Sequence, residues 1–347
     1  MNPRRIPAFI VTGFLGAGKT TLLRSLIEGT TGLRFAVIVN EFGEIGFDGE
    51  AIATCCDNVV ELRNGCICCR VGDDLVPTLE AAVTGVTPPD AILIETSGLA
   101  LPQPVVDAFA FPTLARHTQV AGVIVVADAA VLATGTFDDV LSWLKAPPSL
   151  GNRRASVLHG GTDGQDDPIA EVFEDQLRAA DLVVLSKTDL LPPAMADQLH
   201  ADLAAALPAE VALVRGSIGH FDPGPLLALH DQDHVPKPSR HALEGEAHDH
   251  DDFEGLVLDL GEITDRTAFE DRVARAVRQF KLLRVKGFVA LQGRDQRLEL
   301  QSTPSATTTR PDRHWQSHER RATQLVAIGA KGLPYARILG AFKGETH

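Results

Sequence analysis

The chain has 347 residues, 44% of them apolar, with a formal net charge of −14 and a pI near 5.3. That length supports a sizeable core and predicts two domains. The acidity argues against a nucleic-acid partner, which needs clustered Lys and Arg, and no apolar run reaches the roughly 18 residues of a membrane span. Residues 1–5 lead into an apolar strand pattern without the longer apolar region of a secretory signal, so the expectation is a cytoplasmic protein.

Ala8 to Val11 reads as a buried strand and Thr21 to Ile27 as a helix, with GFLGAGKT (Gly13 to Thr20) between them. Strand, glycine-rich turn and helix is the context that a phosphate-binding loop requires. Its glycines let successive backbone N–H groups curl around phosphates, and the helix N-terminus adds partial positive charge. Nucleotide contact is therefore expected at Gly13, Gly16, Ala17, Gly18, Lys19, Thr20 and Thr21. Lys19 would reach the β- and γ-phosphates, and the Thr20 hydroxyl would ligate Mg²⁺.

Phe35 to Asn40 is a second strand pattern, followed by a glycine- and acid-rich run, Glu41 to Gly49. Such a run just past a strand end suits a switch loop that senses a γ-phosphate, with an ordinary solvated turn as the alternative. Glu41, Glu44 and Asp48 are all available to position an attacking water, and Glu41 is taken as the catalytic candidate. All five cysteines fall between Cys55 and Cys69. Cys66, Cys68 and Cys69, after the strand-like Val59 to Leu62, are compact enough for one thiolate site. In an extended segment Cys66 and Cys68 share a face, and a turn is needed to add Cys69. Metal handling is the preferred reading; buried apolar cysteines, a redox pair and a structural zinc site completed from elsewhere are the alternatives. Cys55 and Cys56 read as spare thiols.

Asp90 to Glu95 is a buried strand ending in an acid, with Gly98 three residues on. After a phosphate loop, Glu95 is expected to hold Mg²⁺ through water and the Gly98 N–H to meet the γ-phosphate. The next strand, Gly122 to Asp128, precedes a loop-rich insertion from about Thr134 to Asp167 whose role is not readable. A helix containing Phe173 to Ala180 then leads to the strand Asp181 to Leu185 and to Ser186, Lys187, Thr188 and Asp189. Asp189 can accept from the N1–H and N2 amino group of guanine, whereas adenine would leave its carboxylate unpaired, so GTP is preferred over ATP. The Lys187 stem would pack across the base. Ser186 stands where such elements usually carry Asn, and the expectation is that an amide bracing the loop is lost.

Val211 to Val214 is the last strand pattern of the first domain, placed at 1–215. Residues 216–252 are rich in Pro, His and acids, a linker texture. Its histidines, His230, His234, His241, His248 and His250, are either a weak metal-collecting tether or incidental. The second domain, 253–347, alternates strand patterns (Leu256 to Leu260, Leu283 to Leu291, Arg297 to Gln301, Thr323 to Gly329) with a helical one (Phe269 to Arg278). It is a small α+β module with an interaction or regulatory role as its default. The fold class is thus α/β, a doubly wound and mostly parallel phosphate-loop sheet with helices on both faces, plus a smaller α+β domain.

The runs GFLGAGKTTLL, NEFGEIGFDG, ELRNGCICC, ETSGLALP, SKTDL and RVKGFVAL, in this order over nearly the full chain, resemble the CobW-type metal-handling GTPases. Within that family, ETSGLALPQPVVDAF and DDPIAEVFEDQLRAADLVVLSKTDL look most like the branch associated with cobalamin biosynthesis. The resemblance implies a GTPase using GTP and Mg²⁺ that binds Co²⁺ at Cys66, Cys68 and Cys69 and supplies the cobaltochelatase of the aerobic corrin pathway. Related sequences serve zinc supply or nitrile hydratase maturation, which keeps Zn²⁺ and another metal-accepting apoprotein as alternatives. A redox-sensing regulatory GTPase, or a kinase or ATPase on the same loop, are the readings from other classes. No nucleic acid or membrane partner is expected.

Overall fold

The computed structural model describes residues 5–30, 32–39, 75–135, 168–216, 253–304, 306–316 and 319–345, with 137, 140, 141 and 144. It forms two compact units, residues 1–248 and 249–347.

The first unit is built on six parallel strands: β1 (Ile6–Thr12), β2 (Phe35–Val39), β3 (Ala91–Glu95), β4 (Thr118–Asp128), β5 (Leu182–Ser186) and β6 (Ala212–Arg215). Their spatial order is β2-β3-β1-β4-β5-β6. Most of these strands are near-continuous apolar runs because both faces of the sheet are covered. Along β1, Ala8 and Ile10 join one core cluster while Phe9 and Val11 join the other. The second face receives Leu22, Leu23, Leu26 and Ile27 of α1 (Lys19–Gly29). The first face receives α2 (Val76–Thr84), α3 (Gln103–Ala108), α4 (Pro112–His117), α5 (Ala129–Leu132), α6 (Pro168–Ala179) and α7 (Pro193–Ala206). Helices on both faces of a parallel sheet are the expected class. The expected strand Val59 to Leu62 lies outside the described residues.

Strand β1 sits centrally, with β3 on one side and β4 on the other, so its C-terminal end is the topological switch point where ligands of such sheets bind. Register then sets what surrounds that end. Val11 is paired with both Glu95 on β3 and Ile124 on β4, and Asp128 at the end of β4 is paired with Ser186 at the end of β5.

The second unit is a five-stranded antiparallel sheet, ordered β10-β9-β8-β11-β7, made by β7 (Phe253–Gly261), β8 (Arg284–Ala290), β9 (Gln296–Ser302), β10 (Thr307–His314) and β11 (Thr323–Ala330). Helices α8 (Arg266–Gln279) and α9 (Tyr335–Lys343) pack Phe269, Val273, Ile338 and Phe342 onto Leu258, Leu300 and Leu325. The expected module is present, with two elements that the apolar pattern did not announce. Strand β10 carries Pro311 and mostly exposed polar residues, which an edge strand tolerates because one side of its backbone needs no partner. Helix α9 ends the described chain. Near β10, the buried Arg297 lies 3.5 Å from the centre of the Phe288 ring and donates to Asp312 at 2.6 Å. No helix among the described residues is long and apolar enough to cross a membrane.

Candidate functional site

The phosphate loop leaves β1 through Gly13 at φ 132°, turns again at Gly16 and Gly18, and enters α1 at Lys19. Glycine is obligatory at 13 because a Cβ there would lie 2.2 Å from the carbonyl oxygen of Val126. Among the described residues no side chain caps α1, whose N-terminus follows directly on the loop, where a helix start favours an anion. Lys19 is buried, and its ammonium donates to the carbonyls of Gly13 at 2.8 Å and Phe14 at 3.3 Å. It is thereby held across the loop it is expected to serve.

Strand β3 brings the acid. Glu95, at its tip and buried, accepts from the Thr20 hydroxyl at 3.0 Å. A carboxylate and a hydroxyl in contact at the start of a helix form an oxygen donor set of the kind Mg²⁺ takes. The two strand ends are also tied to each other: the Thr96 N–H donates to Val11 at 2.9 Å, and the Thr96 hydroxyl to that of Thr12 at 2.8 Å. Gly98 passes so close to the phosphate loop that a Cβ would stand 2.6–2.8 Å from Leu15 atoms. This explains the glycine three residues beyond the acid. Fully buried Gln176 on α6 secures the same turn, its amide donating to Gly98 at 3.3 Å and Ala100 at 3.2 Å.

Residues 186–189, expected to read the base, dock onto the phosphate loop from the β5 side. The Ser186 hydroxyl stands 2.7 Å from the Ala17 carbonyl and 3.2 Å from that of Ala127. Lys187 adopts a left-handed backbone at φ 57° and reaches the Gly16 carbonyl at 2.8 Å and the Asp128 carboxylate at 2.5 Å. Asp128 in turn caps α5 by accepting from Ala130 at 2.9 Å and Val131 at 3.3 Å. Asp189 follows on a short 3₁₀ turn, Thr188–Leu190, and is exposed. Ser186 has no amide to brace the loop, as its residue type dictates, and its shorter hydroxyl reaches the loop backbone instead.

The structure therefore gathers Gly13, Gly16, Ala17, Gly18, Lys19, Thr20, Glu95, Gly98, Ser186 and Lys187 at one sheet end. Thr21 follows on the first turn of α1. Glu41, Glu44, Asp48, all five cysteines and the linker histidines lie outside the described residues. Among the described residues no group of three or more His, Cys, Asp or Glu is placed to hold a metal ion. Asp128 and Gln176 were not singled out from sequence, although Asp128 ends an apolar strand just as Glu95 does. Nor was Phe137, in the insertion, whose ring meets Phe14 of the phosphate loop at 5.6 Å and Phe173 of α6 at 4.4 Å between centroids.

Comparison with known proteins identifies two family domains. Residues 7–213 match the family described as CobW/HypB/UreG, nucleotide-binding domain, and residues 253–344 match the cobalamin synthesis protein cobW C-terminal domain. A protein of Sinorhizobium sp named zinc chaperone CobW is 38% identical, over 98% of this chain and 97% of its own. One of the same name from Pseudomonas aeruginosa is 40% identical, over 94% of this chain and 88% of its own. Among solved structures, Zn(II)-bound YjiA GTPase from E. coli aligns with 25% identity and a TM-score of 0.42, covering 99% of this chain and 100% of that one. With both of its parts matched over most of their length, the chain belongs to the CobW/HypB/UreG nucleotide-binding family and carries a cobW C-terminal domain as well.

Proposed function

We propose that the chain is a GTP-dependent metallochaperone. It takes up a divalent transition-metal ion at Cys66, Cys68 and Cys69 and releases it to a metal-accepting apoprotein as GTP becomes GDP and phosphate. The docking of Ser186 and Lys187 on the phosphate loop carries the nucleotide part of this reading, because it brings the element bearing Asp189 to the site built around Lys19. Asp189 is assigned to the guanine N1–H and N2 amino group, Lys19 to the β- and γ-phosphates, the Gly98 N–H to the γ-phosphate, and Glu41 to the attacking water. Thr20 and, through water, Glu95 would hold Mg²⁺, which when bound offsets charge on the phosphoryl oxygens. The proposed boundaries are a nucleotide domain at 1–215, a linker at 216–252 and a second domain at 253–347, working in the cytoplasm.

Zn²⁺ is the first cargo of this proposal. Its support is the similarity to proteins named zinc chaperones and the thiolate donors, which rank Zn²⁺ above Co²⁺. Delivery of Co²⁺ to a cobaltochelatase is the second reading, supported by the likeness of two long runs to the cobalamin-associated branch. In either case GTP would tighten the thiolate site and hydrolysis loosen it, and linkage requires the metal to tighten GTP binding by the same factor.

Competitive Zn²⁺ and Co²⁺ titrations with Mg²⁺ and GTP, GDP or no nucleotide test the reading, with tetrahedral cobalt followed by its visible d–d bands. Intense bands that need GTP and vanish in Cys66→Ser or Cys68→Ser are expected, with Zn²⁺ displacing Co²⁺ if zinc is the cargo. Metal binding indifferent to the nucleotide would remove the chaperone mechanism.

A further inference from the structure

The chain's negative charge is unevenly spread. Residues 1–252 hold 35 Asp and Glu against 16 Lys and Arg, a net of −19, whereas residues 253–347 hold 11 against 16, a net of +5. Such a reversal between parts of one chain points to an anionic ligand of the basic part.

Part of the surplus surrounds a cavity of about 630 Å³ between α8 and α9 of the second unit. Arg272, Arg275 and Gln279 recur along one face of α8, and Arg337 faces them from α9, with Lys343 in its last turn. Several arginines of this unit are matched to acids, among them Arg266 to Glu270 at 2.9 Å, Arg297 to Asp312 at 2.6 Å and Arg320 to Asp259 at 2.8 Å. Outside the cavity, Arg278, Arg294 and Arg310 have no ion pair among the described residues. The side chains of Arg275, Arg337 and Lys343 make no ion pair or hydrogen bond among the described residues, although Asp271 and Glu345 line the same cavity. Arg337 is steadied instead over the Phe280 ring, 5.7 Å from its centre.

An anion here would also meet the negative end of α9. That end is already neutralised by donors. Gly340 accepts from the Glu345 N–H at 2.9 Å, Ala341 from the Gly344 N–H at 3.2 Å and Phe342 from the Arg272 guanidinium at 3.1 Å. The unmatched cations therefore dominate the field in the cavity.

We propose that this cavity binds a small, multiply charged anion presenting phosphate or carboxylate oxygens. Guanidinium forks from two facing helices suit bidentate capture of either group. The volume falls within the roughly 300–1,000 Å³ of small-molecule sites. An acidic protein partner would draw on a face of about 800 Å², whereas this charge is gathered around one cavity.

The test uses the full chain loaded with GDP and Mg²⁺ so that the phosphate loop is filled. Pyrophosphate and citrate are titrated separately by calorimetry, at low and at physiological salt. Saturable binding of at least one probe is expected, and which one binds tells phosphate from carboxylate. The double variant Arg275→Gln, Arg337→Gln should weaken it about tenfold or more, since both residues are exposed and each forfeits a charge-assisted contact. The control Arg310→Gln, Arg320→Gln removes the same charge elsewhere in the unit and should change affinity less than about twofold, exposed charges being screened over about 10 Å. No saturable binding of either probe, equal weakening by both double variants, or binding of a poly-glutamate peptide in place of both probes would each overturn the proposal.

Discussion

The Ser186 hydroxyl lies 2.7 Å from the Ala17 carbonyl oxygen, joining the end of β5 to the phosphate loop across 169 residues of sequence. The Ala127 carbonyl on β4, 3.2 Å away, shares that same hydroxyl proton. The segment bearing Asp189 and the phosphate loop are thus mechanically one unit. Ser186→Ala should remove this shared bond while leaving Asp189 in the chain. With a net worth near 1 kcal/mol for such contacts, GDP affinity is expected to fall about fivefold. Equilibrium dialysis with labelled GDP measures it, and unchanged affinity would show that the brace is idle.

Gly98 and Gly29 offer a matched pair of substitutions. A Cβ at 98 would collide with the Leu15 backbone at 2.7–2.8 Å, whereas one at 29 meets nothing within 4 Å. Gly98→Ala should therefore cost about 1–3 kcal/mol of stability and also displace the phosphate loop. Gly29→Ala, at the last position of α1, should be neutral or stabilise by up to about 1 kcal/mol. Denaturant midpoints for the two variants check the contrast, and equal midpoints would contradict the close approach.

Asp128 and Lys187 pair with each other, and Lys187 also donates to the Gly16 carbonyl at 2.8 Å. Their 2.5 Å ion pair is shared, but Asp128 alone caps α5. Beyond the pair, Asp128→Ala should cost about 1 kcal/mol for its N-cap and Lys187→Met about as much for its Gly16 bond, so the two single variants should be destabilised alike. The double variant should cost less than the two single variants together, because the pair is broken only once. Strict additivity in a thermal-denaturation cycle would dissolve the pairing.

Glu319 gives the second unit a pH dependence. Hydrogen bonds from Arg313, a bond from the Gln316 N–H and the nearby Arg297 guanidinium lower its pKa from 4.5 to about 2. A folded-state pKa below the unfolded value stabilises fully above pH 4.5, and that contribution is lost as pH falls toward about 2. Glu319→Gln should therefore be less stable than the parent at pH 7, with the gap closing across that acid window. A pH-independent gap in melting temperature would show that charge is not what Glu319 contributes.

The reach of the sequence can be judged residue by residue. GFLGAGKT was legible because phosphate binding depends on residue types at fixed local spacing, and the structure gives Gly13 and Gly98 steric reasons to be glycine. Glu95 was legible as the acid ending an apolar strand. Asp128 carried the same signal, but its partner Lys187 lies 59 residues on and is reached only through the pairing of β4 with β5. Strand β10 was missed because an edge strand with Pro311 has little apolar alternation to display.

By itself the sequence determined the ligand class and the apolar strands, since both are written in short-range patterns of residue type. Tertiary structure decided which groups meet: Glu95 with Thr20, Ser186 with Ala17, and Gln176 with the Gly98 turn. It also faced Arg275 with Arg337 around one cavity. The physical reason is that strand register and helix docking are set by packing between distant segments, whereas periodicity along the chain reports only which face of each segment is apolar.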